Sequence, residues 1–171
     1  MPSRLWSSIV ADGAGRKTSH SGLRVVADTM VWVSATVGRP GSASRALFDA
    51  FARSEIKIVT SGPFVRELAD VLIDELDHPR GLVEQLIALI CARAEIVMIR
   101  HQVMGCSDPK DDPILETALT ADVDFIVTLD QRLLHLPPHV AKYVQRRGVK
   151  IIKPGDFAVL LRTMSPEDGG R

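Results

Sequence analysis

Short apolar runs that alternate with segments of helical periodicity are the feature that most constrains the fold of this chain. The runs at residues 23–27, 56–60, 96–99, 125–128 and 149–152 are too short for helices and predict β-strands. Strands that alternate with helices are joined by right-handed crossovers and form parallel sheets. The pattern therefore predicts an α/β fold, a three-layer α/β/α sandwich around a central, mostly parallel sheet of about five strands.

Apolar residues recur at helical spacing between the predicted strands. Three of the predicted helices span residues 42–53, 82–93 and 154–162. Another runs from Ser61 to the break at His78-Pro79, one begins at Pro113, and one follows Pro137-Pro138 and continues to Arg147. Ser61 is a plausible N-cap, because Pro63 follows in the first turn.

The length of 171 residues fits one domain better than two. Residues 1–22 are rich in Gly, Ser and basic residues and are predicted to be a flexible N-terminal extension. Residues 23–163 form the predicted domain, and residues 164–171 are predicted to be a flexible tail. The longest apolar run is about seven residues, far short of a membrane span, so we expect a cytoplasmic protein that does not enter a membrane.

Charge and cysteine content exclude several classes of function. The formal net charge is zero, so no overall basic field attracts polyanions, and any contact with nucleic acid depends on local patches. Cys91 and Cys106 form no CxxC pair, which argues against a zinc ribbon or a redox motif.

Four acidic residues are predicted to lie at one edge of the sheet. Asp28 follows the first strand, Asp130 follows the fourth, Asp112 precedes Pro113 at a helix start, and Glu67 lies early in the helix after the second strand. Ligands of parallel α/β sheets bind beyond the carboxyl ends of the strands. Four carboxylates gathered there would repel one another unless cations intervened, and Mg²⁺ or Mn²⁺ prefers oxygen ligands.

Each acid also has a purely structural interpretation. Asp28 and Asp130 suit turns or N-caps after strands, and Asp112 before Pro113 is a typical N-cap. Glu67 in the first turns of a helix interacts favourably with the helix dipole. The sequence leaves both interpretations open for each residue.

Four stretches of the chain resemble the PIN domain family. They are VVADTMVWVSA around Asp28, TSGPFVRELADVL around Glu67, DPKDDPILETAL around Asp112 and DFIVTLDQRLL around Asp130. More narrowly, they resemble the toxin components of bacterial type II toxin–antitoxin pairs, related to VapC ribonucleases. The interval from Asp112 to Asp130 is also typical of the family and favours Asp112 over Asp111 and Asp108 as a ligand.

The resemblance implies an endoribonuclease that depends on Mg²⁺ or Mn²⁺ and hydrolyses RNA phosphodiester bonds. The catalytic and metal-binding residues would be Asp28, Glu67, Asp112 and Asp130. Residues that would support these ligands, by hydrogen bonds or added charge, are Thr128, Thr29, Asp111 and Glu116. The resemblance also implies a cognate antitoxin protein and a homodimer.

Two residues depart from the family pattern. Met30 stands where the family usually has Asn, and Arg132 stands where it often has another acid. These changes leave an alternative, a weakened or inactive PIN-fold module that binds RNA or protein. The basic candidates for RNA contact are Arg132, Lys142, Arg146 and Lys150. The alternative interpretations are a solvated surface residue for Arg132 and a solvated helix face for the last three.

Overall fold

The computed structural model describes residues 22–101, 105 and 112–164. One parallel sheet is formed by β1 (Leu23–Ala27), β2 (Ile56–Ser61), β3 (Glu95–Val97), β4 (Phe125–Val127) and β5 (Lys150–Ile152). The strand order is β3-β2-β1-β4-β5, so successive strands are added on one side of β1 and then on the other. The predicted α/β fold with a parallel sheet is confirmed, and the strand ends differ from the predicted ones by at most two residues.

Helices cover both faces of this sheet. The described α-helices are α1 (Thr29–Val37), α2 (Ala43–Ala52), α3 (Gly62–Asp70), α4 (Arg80–Arg93), α5 (Asp112–Thr120), α6 (Gln131–Leu134), α7 (Pro138–Arg146) and α8 (Pro154–Met164). Because parallel crossovers are right-handed, the helices between β1 and β3 lie on one face and α5, α6 and α7 lie on the other. The result is the three-layer arrangement that the sequence predicted.

Helix α1 was not predicted by helical periodicity, because it is apolar on nearly every side. It buries Val31, Trp32, Val33 and Ala35, and it therefore has no polar stripe that would reveal a helix. The Trp32 ring meets the rings of Phe48 and Phe51 edge to face, with centroid distances of 6.2 and 5.6 Å. These contacts fix α1 against α2.

Helix α3 starts where the sequence predicts, but its cap and its end differ from the prediction. Ser61 lies at its N-cap position, as predicted, but its side chain makes no capping hydrogen bond, and Ser61 also ends β2. After Asp70 the helix widens into a π-helical turn, Val71–Glu75, before the break that precedes α4.

At the amino ends of the strands, charged side chains are paired with one another. The Arg24 guanidinium donates two hydrogen bonds to the Glu95 carboxylate, at 2.8 and 2.9 Å, and a third to the Ala121 carbonyl. The Arg24 backbone N–H donates to Asp124 at 2.9 Å. These bonds connect β1 to β3 and to the turn before β4, and they leave the Arg24 charge compensated.

Most of residues 1–22 and 164–171 lies outside the described residues, and Met164 ends α8. Within the part of the chain that is described, no helix has the length and apolar character needed to cross a bilayer.

A candidate metal site at the carboxyl ends of β1 and β4

Asp28 lies between the end of β1 and the start of α1, at the point where the strand order reverses. Its backbone is extended, and its N–H donates to the Val127 carbonyl of β4 at 3.0 Å. Only 8% of the residue is exposed. A crevice between two strands whose connections diverge is the place where parallel α/β sheets bind ligands.

The hydroxyl of Thr128 connects Asp28 to Asp130. Thr128 is completely buried at the end of β4, and its Oγ1 donates to Asp28 Oδ2 at 2.8 Å. The same oxygen accepts the backbone N–H of Asp130 at 3.0 Å. One side chain thus orients one acid and holds the backbone of the other.

The environments of Asp28 and Asp130 shift their pKa values in opposite directions. Burial raises the pKa of Asp28, the hydrogen bond from Thr128 opposes that rise, and the nearby charge of Asp130 adds to it. Hydrogen bonds from the Arg132 side chain and backbone hold the pKa of Asp130 below its usual value. Neighbouring carboxylates whose pKa values are driven apart are typical of functional sites.

Asp130 is bound by Arg132 through three hydrogen bonds. The Arg132 backbone N–H and Nε donate to Oδ1 at 2.8 and 3.3 Å, and Nη2 donates to Oδ2 at 2.9 Å. The first of these bonds makes Asp130 the N-cap of α6. Asp130 therefore caps a helix, as the structural interpretation predicts, and also lies beside Asp28 at the candidate metal site.

The other predicted acids occupy different surroundings. Asp112, the first residue of α5, is 6% exposed, and α5 packs against β1 and β2. Glu116, one turn later, is also buried and accepts the Arg100 backbone N–H at 2.5 Å. Glu67 is exposed on α3, and Asp111 lies outside the described residues.

A family model described as the PIN domain matches residues 24–132. The chain belongs to the PIN domain family. The match spans Asp28, Glu67, Asp112 and Asp130, and the parallel sheet is consistent with a PIN-like fold. PIN domains are generally nucleases that use divalent metals. No curated protein matches the chain.

Two buried hydroxyls at the carboxyl ends of β1 and β2 bear on whether this PIN domain can hold a metal. Thr29 directly follows Asp28, and Ser61 ends β2, the strand that pairs with β1. The hydroxyl oxygens of Ser61 and Thr29 are buried and have no hydrogen-bond partner within the described residues. Unpaired buried hydroxyls are costly and point to water or an ion as the missing partner. Ser61 is predicted above only as a helix N-cap, although its position at the end of a predicted strand indicates a place at this edge of the sheet.

The donors at this edge fit Mg²⁺ or Mn²⁺. Asp28 and Asp130 supply carboxylate oxygens, and Mg²⁺ in proteins commonly keeps several waters and binds through one or two carboxylates. Across residues 22–101, 105 and 112–164, no group of three or more His, Cys, Asp and Glu side chains is placed to hold a metal. The described PIN site thus consists of two acids with polar support, and the four-acid site stays a prediction.

The predicted RNA contacts lie in different parts of the PIN domain. Arg132 is at the carboxyl edge with Asp130. Lys142 and Arg146 are exposed on α7, whereas Lys150 pairs with Phe125 at the amino end of β4. Lys150 does not continue the helical stripe, because α7 ends at Arg146.

Proposed function

We propose that this PIN domain is an endoribonuclease that depends on Mg²⁺ or Mn²⁺ and uses the carboxyl edge of β1 and β4 as its active site. The observation that supports this most strongly is the buried Asp28 carboxylate, joined through Thr128 to Asp130 at the point where the strand order reverses. Burial alone makes an ionised carboxylate unfavourable, and a bound cation would compensate the charge.

Asp28 and Asp130 would bind the metal directly. Thr128 would fix the orientation of Asp28, since its hydroxyl donates to Oδ2. Asp112 and Glu67 would complete the ligand set directly or through water. When bound, the metal would lower the pKa of a coordinated water and stabilise charge on the phosphodiester.

The same site would accept RNA as substrate, and the narrower proposal is the toxin of a toxin–antitoxin pair. The resemblance of the four acid-bearing stretches supports this role and, with it, a cognate antitoxin and a homodimer. The cytoplasm, where RNA and an antitoxin would meet the protein, is the proposed location. A gel-filtration mass equal to one subunit at high protein concentration would exclude the homodimer.

Cleavage of single-stranded RNA by the purified protein tests the activity. We expect cleavage with Mg²⁺ or Mn²⁺, none with EDTA, and strong loss in Asp28→Asn and Asp112→Asn. Asp49→Asn is the matched control, because Asp49 pairs with Arg45 on the exposed side of α2 and takes no part in the site. If Asp28→Asn and Asp112→Asn cut RNA as fast as the parent protein, the assignment is wrong.

A second candidate is a PIN-fold module that binds RNA or protein without cutting. It is favoured by Arg132, which already neutralises Asp130, and by Met30, whose thioether is half exposed where the resemblance would place an amide. RNA binding that is unaffected by EDTA, together with no heat of Mn²⁺ binding in calorimetry, would support this module over the nuclease.

A further inference from the structure

Arg132 fills most of the hydrogen-bonding capacity of the Asp130 carboxylate. A carboxylate has about four lone-pair positions, two on each oxygen. Oδ1 receives two donors from Arg132, the backbone N–H at 2.8 Å and Nε at 3.3 Å, and Oδ2 receives Nη2 at 2.9 Å. A metal ion that binds Asp130 therefore meets an oxygen already used by a cation.

We propose that Arg132 is an internal cation that competes with the divalent metal for Asp130 and so sets the metal affinity of the site. This inference rests on the proposed function, because it assumes that Asp130 is a ligand. The guanidinium and a dication on the same carboxylate repel each other at short range. Metal binding consequently requires the guanidinium to leave Asp130 or to share it at an energetic cost.

The surroundings of the pair show how large the competition is. The side chains of Arg132 and Asp130 are 55% and 26% exposed, so the guanidinium can turn into solvent. Exposed ion pairs are weak, and a dication outcompetes a single such partner. Arg132 thus lowers metal affinity by about 2- to 5-fold and does not block the site.

Only the side chain of Arg132 takes part in the competition. The capping bond of α6 comes from the Arg132 backbone N–H, which any non-proline substitution retains. Arg132→Ala should therefore keep Asp130 in place and the fold intact, while it frees the positions held by Nε and Nη2. A thermal melt without metal checks that the variant is folded.

Arg53 provides a matched control. Its guanidinium binds Glu55, two residues after it, through Nε at 2.6 Å and Nη2 at 3.1 Å, whereas Arg132 binds an acid two residues before it. That pair precedes β2 at the amino end of the strands, whereas Arg132 lies at the carboxyl end. Arg53→Ala also removes one positive charge, but at the amino edge of the sheet, and it should leave metal binding unchanged.

Isothermal calorimetry with Mn²⁺ on the full chain tests the proposal. We expect Arg132→Ala to bind Mn²⁺ about 2- to 5-fold more tightly than the parent, and Arg53→Ala to match the parent. Arg132→Lys, which keeps the charge but loses the planar fork, should lie between them. If Arg132→Ala does not fold, the comparison of Arg132→Lys with the parent tests the same proposal.

Two results would overturn the inference, and they have different consequences for the nuclease. Equal or weaker Mn²⁺ binding by Arg132→Ala, with measurable binding by the parent, would show that Arg132 does not compete and would leave the proposed function standing. No Mn²⁺ binding by either protein at millimolar concentration would overturn both the inference and the proposed metal-dependent activity.

Discussion

The two edges of this sheet bury charge in opposite ways. At the amino ends, Arg24 and Glu95 neutralise each other through two hydrogen bonds of 2.8 and 2.9 Å. At the carboxyl ends, Asp28 receives hydrogen bonds only from neutral groups, the Thr128 hydroxyl and the backbone N–H groups of Thr29 and Met30, and the charge that shifts its pKa is another acid, Asp130. The first edge is arranged for stability, whereas the second retains a buried charge that folding alone does not compensate.

This difference suggests how to separate structural from functional acids in the molecule. Glu95, Asp124 and Asp122 each accept hydrogen bonds from an arginine or a backbone N–H near the amino ends of the strands. Asp28 has a raised pKa, caused first by burial, and therefore costs stability near neutral pH. A residue that costs stability and sits at a ligand-binding crevice is a candidate for chemistry.

The largest predicted effect is on activity at the carboxyl edge. Asp28→Asn should reduce RNA cleavage by about 100-fold or more, because it removes a proposed metal ligand while it preserves size. Its free energy of unfolding at pH 7 should equal or exceed that of the parent, since the buried charge is gone. Cleavage assays and urea unfolding measure the two quantities. If Asp28→Asn were less stable than the parent but cut RNA normally, Asp28 would be a structural residue and not a functional one.

The next effect is on stability at the amino edge. Arg24→Ala should lower the free energy of unfolding by about 2–3 kcal/mol, because it leaves the partly buried Glu95 carboxylate without its main partner. Metal affinity per folded molecule should not change. Urea unfolding and Mn²⁺ calorimetry measure the two properties, and a loss of Mn²⁺ binding in folded Arg24→Ala would show that the edges are not independent.

A smaller effect is expected at the hydroxyl that joins the two acids. Thr128→Val keeps the shape of the side chain but removes the bond to Asp28, so cleavage should fall by about 10-fold and stability by about 1 kcal/mol. Thr128→Ser retains the hydroxyl and is the matched control. If Val and Ser at this position gave the same cleavage rate, the hydrogen bond to Asp28 would have no role in the activity.

The smallest effect concerns pH. Because the pKa of Asp28 is raised above 3.8 in the folded state, the folded state binds the proton more readily than the unfolded state. The group therefore begins to cost stability as pH rises through 3.8, and the cost is complete above the folded pKa. The stability advantage of Asp28→Asn should therefore shrink as pH falls toward 4. Asp130, whose pKa is lowered, has the opposite sign, since its contribution is present above 3.8 and lost on acidification. Unfolding curves across this range, with Asp49→Asn as control, test these signs, and an advantage that grew in acid would contradict them.

Much of the fold could be predicted from the sequence because apolar runs and helical periodicity are local signals. Helix α1 could not, since its apolar residues cover nearly all sides and leave no period to detect. The end of α7 was misplaced by one residue. The helix ends at Arg146 and Gly148 adopts a φ of 73°, which glycine accepts without strain.

The position of the candidate site could be predicted from the sequence, but the exposure of Glu67 and the ion pair between Arg132 and Asp130 could not. Asp28 and Asp130 follow buried strands, so their place at the carboxyl edge follows from the parallel sheet. The exposure of Glu67 depends on how α3 is rotated against the sheet, and its position at the border of the apolar face left that open. The bond from Arg132 to Asp130 depends on side-chain conformation, which residue spacing does not determine.

A crystal structure of the protein soaked in Mn²⁺, with anomalous data, tests most directly whether the carboxyl edge of β1 and β4 is a metal site. We predict an anomalous peak about 2.1 Å from carboxylate oxygens of Asp28 and Asp130, with the Arg132 guanidinium turned away from Asp130. Strong Mn²⁺ peaks elsewhere, with Asp28 still hydrogen-bonded to Thr128 and no metal beside it, and with Asp130 still bound by Arg132, would contradict the metal site.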